Sequence, residues 1–197
     1  MPGLITHLAC AERYLGQNPK KDYKKFILGT VFPDIKYLAH LERDLTHKKY
    51  KAALNLSRFD SFKSGWKFHI YIDSQWNKVI RKSPLFENYY KDDKILSSVA
   101  AKFIADKADK KRILEFGRIL EILKKPNRLN VAGVPEEKMK LYYSVSADYF
   151  ATLNIKNYLK FVFPRDSIVA LMGKMAELKK DKELNAFLAR IIDRIMP

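Results

Sequence analysis

Two residues with a metal-binding spacing stand near the middle of the chain. His69 and Asp73 are four residues apart, a spacing that puts two side chains on one face of a helix, close enough to bind one ion together. The flanking sequence WKFHIYID is largely apolar, so we expect both side chains to point into the protein. A buried carboxylate needs a partner, because burying an unpaired charge is costly. A metal ion would satisfy both groups.

Three earlier residues extend this candidate ligand set. His7 and His47 add two imidazoles, and Asp34 lies in FILGTVFPDI, where Gly29 and Pro33 bracket a predicted turn. Each has a simpler interpretation on its own: Asp34 can cap the next helix, His7 can be a core histidine bonded to a carbonyl, and His47 can be a polar residue near a helix start. Together, the five side chains match the ligands of zinc, or of manganese or iron.

The segments that carry these residues also suggest a family. The order MPGLITH, FILGTVFPDI, TH and HIYID resembles the N-terminal ligand set of the zinc-dependent phospholipase C family, which is related to the zinc-dependent single-strand nucleases. The likeness covers roughly the first 80 residues. It implies an all-helical fold in which four side chains hold one zinc ion: Asp34, His47, His69 and Asp73. By the same resemblance His7 would bind a neighbouring ion, with Asp73 bridging the two.

Two features depart from the family pattern. Met1 stands where the family has an N-terminal Trp, and no histidine follows His69, whereas the family draws two more histidines and a glutamate from its later part. We therefore expect one or two ions rather than three. The acids that could replace the missing ligands are Asp106, Asp109, Glu115 and Asp148, and their spacing selects none of them. The fourth histidine, His40, has no companion that suits metal coordination.

The chemistry that this set predicts is hydrolysis of a phosphoester by a metal-activated water, with Asp34 as the catalytic residue that orients or deprotonates the water. The substrate would be a phosphate-containing small molecule or lipid, of the phospholipid-headgroup or nucleotide type. The alternative is a decayed site with a structural metal or none, in a basic helical protein that binds anionic lipid or nucleic acid. The missing downstream histidines favour this alternative. Five candidate ligands disfavour it, because four close a structural zinc site.

The composition of the chain indicates which partners and which cellular location to expect. The net charge of +16, from 38 basic and 22 acidic residues, attracts anions such as nucleic acid, anionic lipid or phosphorylated metabolites. The lysines are spread along the chain in pairs, which is typical of solvated helix faces rather than of a dedicated groove. The single cysteine, Cys10, fits a reduced, cytoplasmic protein. No segment has the pattern of a signal peptide or a transmembrane helix.

The elements that must position these residues are helices. Apolar residues recur every three or four positions between few glycines and prolines, which predicts an all-α, single-domain helix bundle over residues 1–197. All candidate ligands lie within residues 1–80, and the clearest loop is at 124–135. The predicted helices lie at about 4–16, 20–29, 34–41, 46–56, 58–82, 86–106, 109–125, 135–160 and 165–195, the last with a break near 180–181.

Overall fold

A computed structural model of the chain describes residues 2–47, 55–87, 93–126, 131, 133–156, 159 and 167–196. These residues form helices and no strand. The helices are α1 (Leu4–Gln17), α2 (Tyr23–Val31), α3 (Lys36–Ala39), α4 (Arg43–Thr46), α5 (Ser61–Arg81), α6 (Lys94–Asp109), α7 (Phe116–Lys124), α8 (Glu136–Thr152), α9 (Ser167–Leu178), α10 (Lys182–Ala189) and α11 (Ile191–Ile195), with 3-10 helices at Phe32–Ile35 and Lys110–Arg112. None of the described helices has the length and apolar character that a membrane span requires.

Aspartates mark the start of four of the described helices. In each case the side chain accepts a hydrogen bond from a backbone N–H of the first turn. The capping residues are Asp22 at α2, Asp60 at α5, Asp93 at α6 and Asp181 at α10. A carboxylate at this position satisfies N–H groups that have no partner inside the helix, and it interacts favourably with the helix dipole. The sequence therefore fixes where these helices begin through local contacts.

Two glycines allow α2 and α5 to cross closely. A Cβ atom added to Gly29 of α2 would overlap the carbonyl oxygen of Phe62, and one added to Gly65 of α5 would overlap that of Phe26. Because no other side chain fits in this space, glycine is required on both helices. The crossing holds α5, which carries two of the candidate ligands, directly against α2.

The C-terminal end of α2 is fixed from the other side by α8. Tyr142 and Tyr143 of α8 donate hydrogen bonds of 2.8 Å to the carbonyl oxygens of Val31 and Leu28. The last carbonyls of a helix lack some of their intrahelical donors. Tyr142 supplies a donor to Val31, and Tyr143 supplies a second donor to Leu28, which also accepts from the backbone N–H of Phe32. Around this point one apolar cluster of buried side chains extends from α1 to α11. The 3-10 helix that follows α2 therefore starts from a rigid base.

The all-α prediction is confirmed for the described residues, and several boundaries match. α1 begins directly after Gly3 and ends one residue beyond Gly16. α7 ends at Lys124 and α8 begins at Glu136, which are the two ends of the predicted loop. α9 and α10 are separated at residues 179–181, where the sequence predicted a break.

Other boundaries differ from the prediction. The sequence predicts a turn between Gly29 and Pro33, but α2 continues through Gly29 to Val31. Pro33 lies in the first turn of the following 3-10 helix, where its missing N–H has no intrahelical partner to lose. The helix predicted at 109–125 is interrupted, because residues 113–115 separate the second 3-10 helix from α7.

Three predicted helices, 46–56, 86–106 and 135–160, differ from the described structure. α4 ends at Thr46. Residues 84–87 are helical and α6 begins at Lys94, whereas α8 ends at Thr152 and residues 155, 156 and 159 are again helical. The end of α8 has a local cause, because the next residue, Leu153, adopts a left-handed conformation with φ of 55°. The parts of the sequence predictions that lie outside the described residues are 1, 48–54, 88–92, 127–130, 132, 157–158, 160–166 and 197.

Candidate metal centre

The five predicted ligands come together at one buried place, which we call the ligand cluster: His7, Asp34, His47, His69 and Asp73. His7 comes from α1, Asp34 from the first 3-10 helix, and His47 from the residue after α4. His69 and Asp73 come from α5, as their spacing predicts. Four elements that are separate in the sequence thus meet through their side chains.

The distances in the ligand cluster suit a bound ion. His47 Nε2 lies 3.6 Å from Asp34 Oδ1 and 3.6 Å from Asp73 Oδ2. His69 Nε2 lies 3.9 Å and 3.8 Å from the same two oxygens. Four ligands placed tetrahedrally at 2.0–2.1 Å from zinc are about 3.4 Å apart. N–H···O hydrogen bonds are shorter, at 2.7–3.2 Å. The four side chains are therefore spaced like ligands around an ion.

The two carboxylate oxygens of Asp73 face different histidines. Oδ2 faces His47 and His69, while Oδ1 lies 3.4 Å from His7 Nε2. Two groups of three side chains have ligand atoms close enough to hold an ion, and both include His69: His7, His69 and Asp73 form one, and Asp34, His47 and His69 form the other. This geometry fits one ion or two neighbouring ions. A second ion would also lie beside Asp73, since its two carboxylate oxygens face different histidines.

Backbone carbonyls orient two of the three imidazoles. His7 Nδ1 lies 2.9 Å from the carbonyl oxygen of Gly3, and His69 Nδ1 lies 2.8 Å from that of Thr30. A carbonyl only accepts, so in both rings Nδ1 carries a hydrogen and Nε2 points toward the cluster. The simpler interpretation of His7, a core histidine bonded to a carbonyl, is thus correct for Nδ1 but leaves Nε2 without a partner.

Ring packing fixes the same side chains further. The His7 and His69 rings stack with centroids 3.8 Å apart and an angle of 3° between their planes. The His47 ring stands nearly perpendicular to that of His69, at 77°. Thr46 Oγ1 lies 2.9 Å from His47 Nδ1, and Trp66 Nε1 donates to the carbonyl oxygen of Thr46. The site is therefore rigid before any ion arrives.

The unpaired polar atoms of the ligand cluster are buried, which carries a cost in free energy. The side chains of His7, His47 and His69 are 1–2% exposed, and that of Asp73 is 6% exposed. Six buried atoms of the cluster have no hydrogen-bond partner among the described residues: His7 Nε2, His47 Nε2, His69 Nε2, Asp34 Oδ1, Asp73 Oδ1 and Asp73 Oδ2. Buried polar atoms are almost always paired. Three nitrogens and three oxygens that converge without partners form a donor set suited to zinc, manganese or iron.

Protonation states agree with this donor set. Burial lowers the pKa of His69 to about 3, with a further lowering by neighbouring His7, so the ring is neutral and can donate its lone pair. Burial raises the pKa of Asp34 and of Asp73, but the adjacent imidazoles outweigh it and hold both pKa values below their usual range. Both carboxyls are thus ionised, as ligands must be.

Asp34 does not cap the following helix. It lies in the first 3-10 helix, and the residue at the start of α3 makes no side-chain capping bond. Its sequence neighbours Phe32, Pro33 and Ile35 are buried, and its carboxylate faces His47 and His69. Asp34 is also the member of the cluster most open to solvent, with a side chain 14% exposed. The remaining histidine, His40, is exposed and ends α3 in a left-handed conformation.

The acids considered as replacement ligands lie elsewhere. Asp106 Oδ1 accepts hydrogen bonds from the backbone N–H and hydroxyl of Thr6, and Asp106 Oδ2 accepts one from Tyr149. Asp109 Oδ2 lies 2.7 Å from the Thr6 hydroxyl. We call these four residues the Asp106 group. Glu115 and Asp148 are exposed. None of the four acids joins the ligand cluster.

Sequence reasoning missed the Asp106 group and its role. The residue before α1, Gly3, has no side chain to cap the helix. Asp106 of α6 supplies the missing acceptor to the N–H of Thr6, 100 residues away in the sequence. One signal was present in the sequence. Asp106 and Asp109 are three residues apart among the apolar residues of KFIADKAD, so they share a face that the neighbouring residues indicate is buried.

Comparisons with protein-family models, with curated proteins and with solved structures found no match to this chain. The interpretation of the ligand cluster therefore depends on its geometry. That geometry is a buried set of three imidazoles and two carboxylates, open to solvent mainly at Asp34. Such a set can hold one or two divalent cations.

Proposed function

We propose that this chain is a metal-dependent hydrolase of phosphoesters, with a fold and a site like those of the zinc-dependent phospholipase C family. The observation that carries the proposal is the convergence of six unpartnered buried atoms from five side chains. A structural zinc site is complete with four ligands. The ligand cluster offers five side chains, and the two oxygens of Asp73 face different histidines, which favours a catalytic centre over a structural one. Zinc held here, or manganese or iron, would lower the pKa of a water molecule and polarise a phosphoryl oxygen.

Asp34 has the catalytic role in this proposal. Its carboxylate is ionised and is the part of the cluster that solvent reaches. It accepts a hydrogen bond from the attacking water and orients it toward phosphorus. As the water oxygen bonds to phosphorus, the ester P–O bond breaks, and a proton of the water passes to the leaving oxygen. His7, His47 and His69 keep their positions through this step, since their Nδ1 atoms are held by backbone or threonine oxygens.

The substrate that we propose is a phosphate-containing small molecule or a phospholipid headgroup. A formal net charge of +16 raises the concentration of anionic molecules near the protein. A phosphoester also presents the oxygen atoms that hard divalent cations and zinc accept as ligands.

The test combines metal analysis with an activity assay. We expect purified protein, after loading with zinc, to hold one or two equivalents and to hydrolyse bis(p-nitrophenyl) phosphate. His69→Ala should lose both properties, because His69 belongs to both groups of candidate ligands. His40→Ala is the matched control: it removes an exposed histidine outside the cluster and should change neither property.

A second candidate function is supported by the burial of the site. Four of the five side chains are at most 6% exposed, and three cavities of about 710, 860 and 540 Å³ are lined by other residues. These features favour a structural metal in a basic protein that binds anionic lipid or nucleic acid. Stoichiometric zinc without hydrolysis of phosphate mono- or diesters would support this candidate. Protein that takes up no metal would contradict the hydrolase and leave a decayed site without metal as the alternative.

A further inference from the structure

A buried lysine lies directly beside the ligand cluster. Lys36 is the first residue of α3, two positions after Asp34, and the residue is 6% exposed. Lysine is rarely this buried without a partner, because its ammonium group loses hydration that a charge partner must replace. The same short segment therefore carries a candidate metal ligand and a buried cation.

The contacts of Lys36 do not replace that hydration. Its Nζ lies 3.4 Å from His47 Nδ1 and 4.6 Å from the centroid of the Tyr37 ring. Among the described residues, no carboxylate oxygen lies within 4.0 Å of it. An ammonium group has three N–H donors, and here it has one long contact to a nitrogen and one to an aromatic face. At least two of its donors have no acceptor in the described protein.

Metal binding at His47 would also remove the contact between Lys36 Nζ and His47 Nδ1. When His47 Nε2 directs its lone pair to an ion, the hydrogen of the neutral ring is on Nδ1. That N–H then donates to Thr46 Oγ1, 2.9 Å away, and can no longer accept from Lys36. Among the described residues, the ammonium group of Lys36 would then have only the Tyr37 ring as a partner. It belongs to the same segment as Asp34, the most exposed member of the ligand cluster.

We propose that Lys36 is the anion-binding residue of this centre, and that it donates to an oxygen of a phosphate group placed at the ligand cluster. This inference rests on the proposed function, because it assumes that a phosphate group binds beside the metal ligands. It goes further in naming what the centre selects. The bound group must carry a negatively charged oxygen that stays available to accept a hydrogen bond from Lys36. This requirement favours phosphate mono- and diesters over neutral esters.

The test measures binding of inorganic phosphate rather than turnover. Zinc-loaded full-length protein is titrated with phosphate in a calorimeter, alongside Lys36→Met, Lys36→Arg and Lys107→Met. Lys36→Met removes the charge and keeps the length of the side chain, so phosphate affinity should fall about 10- to 100-fold, the effect of one charge-assisted hydrogen bond. Lys36→Arg should recover most of the affinity. Lys107→Met removes an exposed lysine of α6 and should bind phosphate like the unaltered protein.

Zinc content separates the possible explanations. All four proteins should hold the same amount of zinc, since Lys36 is not a ligand. Phosphate affinity of Lys36→Met within about twofold of the unaltered protein would overturn the inference, even if hydrolysis is observed. A Lys36-dependent phosphate site without hydrolysis would keep the inference and contradict the proposed function. Protein without zinc and without phosphate binding would overturn both.

A second measurement keeps the inference testable if Lys36→Met does not fold. In unaltered zinc-loaded protein, the side-chain ¹⁵N signal of Lys36 is identified by its absence from the spectrum of Lys36→Arg. Addition of phosphate should shift this signal, while the signal of Lys107 should stay in place. An unchanged Lys36 signal at saturating phosphate would contradict direct contact.

Discussion

Two groups of polar side chains are buried in this protein, and they differ in whether their polar atoms have hydrogen-bond partners. The Asp106 group is internally paired: Asp106 accepts hydrogen bonds from Thr6 and Tyr149, and Thr6 also contacts Asp109. The ligand cluster has equally buried carboxylates and imidazoles, but its atoms face one another at 3.4–3.9 Å without pairing. The difference shows that burial alone does not identify a metal site. The feature that favours metal binding at the ligand cluster is the convergence of its unpartnered atoms.

The two groups also neutralise charge differently. The hydroxyl of Thr6 has one hydrogen but lies 3.0 Å from Asp106 and 2.7 Å from Asp109, so one carboxyl must donate to it. Asp106 accepts from several donors, whereas Asp109 Oδ1 has no partner among the described residues. Burial, reinforced by the charge of Asp106, raises the pKa of Asp109 to about 7. Asp109 therefore holds a proton below about pH 7, while the ligand cluster is suited to a metal cation.

The largest effect that should distinguish the two groups is on metal affinity. Asp73→Asn keeps the size of the side chain but removes the charge that faces all three histidines, so we expect zinc affinity to fall more than about 100-fold, beyond the 10–100-fold typical of outer-shell partners. Asp106→Asn makes the same change in the other group and should keep the zinc content of the unaltered protein. Competition with a chromogenic chelator measures both. Equal loss in the two variants would contradict the comparison.

Much of the ligand cluster was predictable because its ligands lie in informative local sequences. The spacing of His69 and Asp73 and the apolar surroundings of Asp34 both indicate buried polar groups that need a partner. What the sequence could not show is how four separate elements meet. That depends on the close crossing at Gly29 and Gly65, which local reasoning interpreted as a turn at Gly29.

The helix boundaries also show that local sequence does not reveal long-range contacts. Starts marked by Asp22, Asp60, Asp93 and Asp181 are determined by contacts within one turn, so the sequence contains the information. The start of α1 is different, because its acceptor, Asp106, is 100 residues away. The end of α8 at Leu153 is also not encoded by a glycine or proline, the residues on which sequence reasoning depends. Long-range contacts determine these features.

The next effect is on stability. Tyr149→Phe removes a buried hydroxyl that donates to Asp106 Oδ2, so we expect the free energy of unfolding to fall by about 1–3 kcal/mol, the cost of leaving a buried acceptor unpaired. Zinc affinity should stay unchanged, because the Asp106 group and the ligand cluster share no side chain. Chemical denaturation of zinc-free protein measures the first quantity. The control is Tyr71→Phe, which changes a half-buried tyrosine of α5.

The smallest effect is the pH dependence of stability that the Asp106 group contributes. The pKa of Asp109 is about 7 in the folded protein, against an ordinary value of 3.8. The folded state therefore binds a proton that the unfolded state has released, and this group's contribution to stability is complete below pH 3.8 and decreases as the pH rises toward 7. Above pH 7 it decreases little further, because Asp109 is ionised in both states.

Asp109→Asn isolates this contribution, because its amide can donate to Thr6 as the protonated acid does. Between pH 6 and pH 8 the unaltered protein should lose about 1.4 kcal/mol of stability relative to the variant, the value of one pKa unit. Titration of the histidines and of Asp34 and Asp73 affects both proteins equally and cancels in the difference. Denaturation of zinc-free protein at the two pH values provides the measurement. A constant difference would mean that Asp109 is ionised throughout and that Asp106 holds the proton that Thr6 requires.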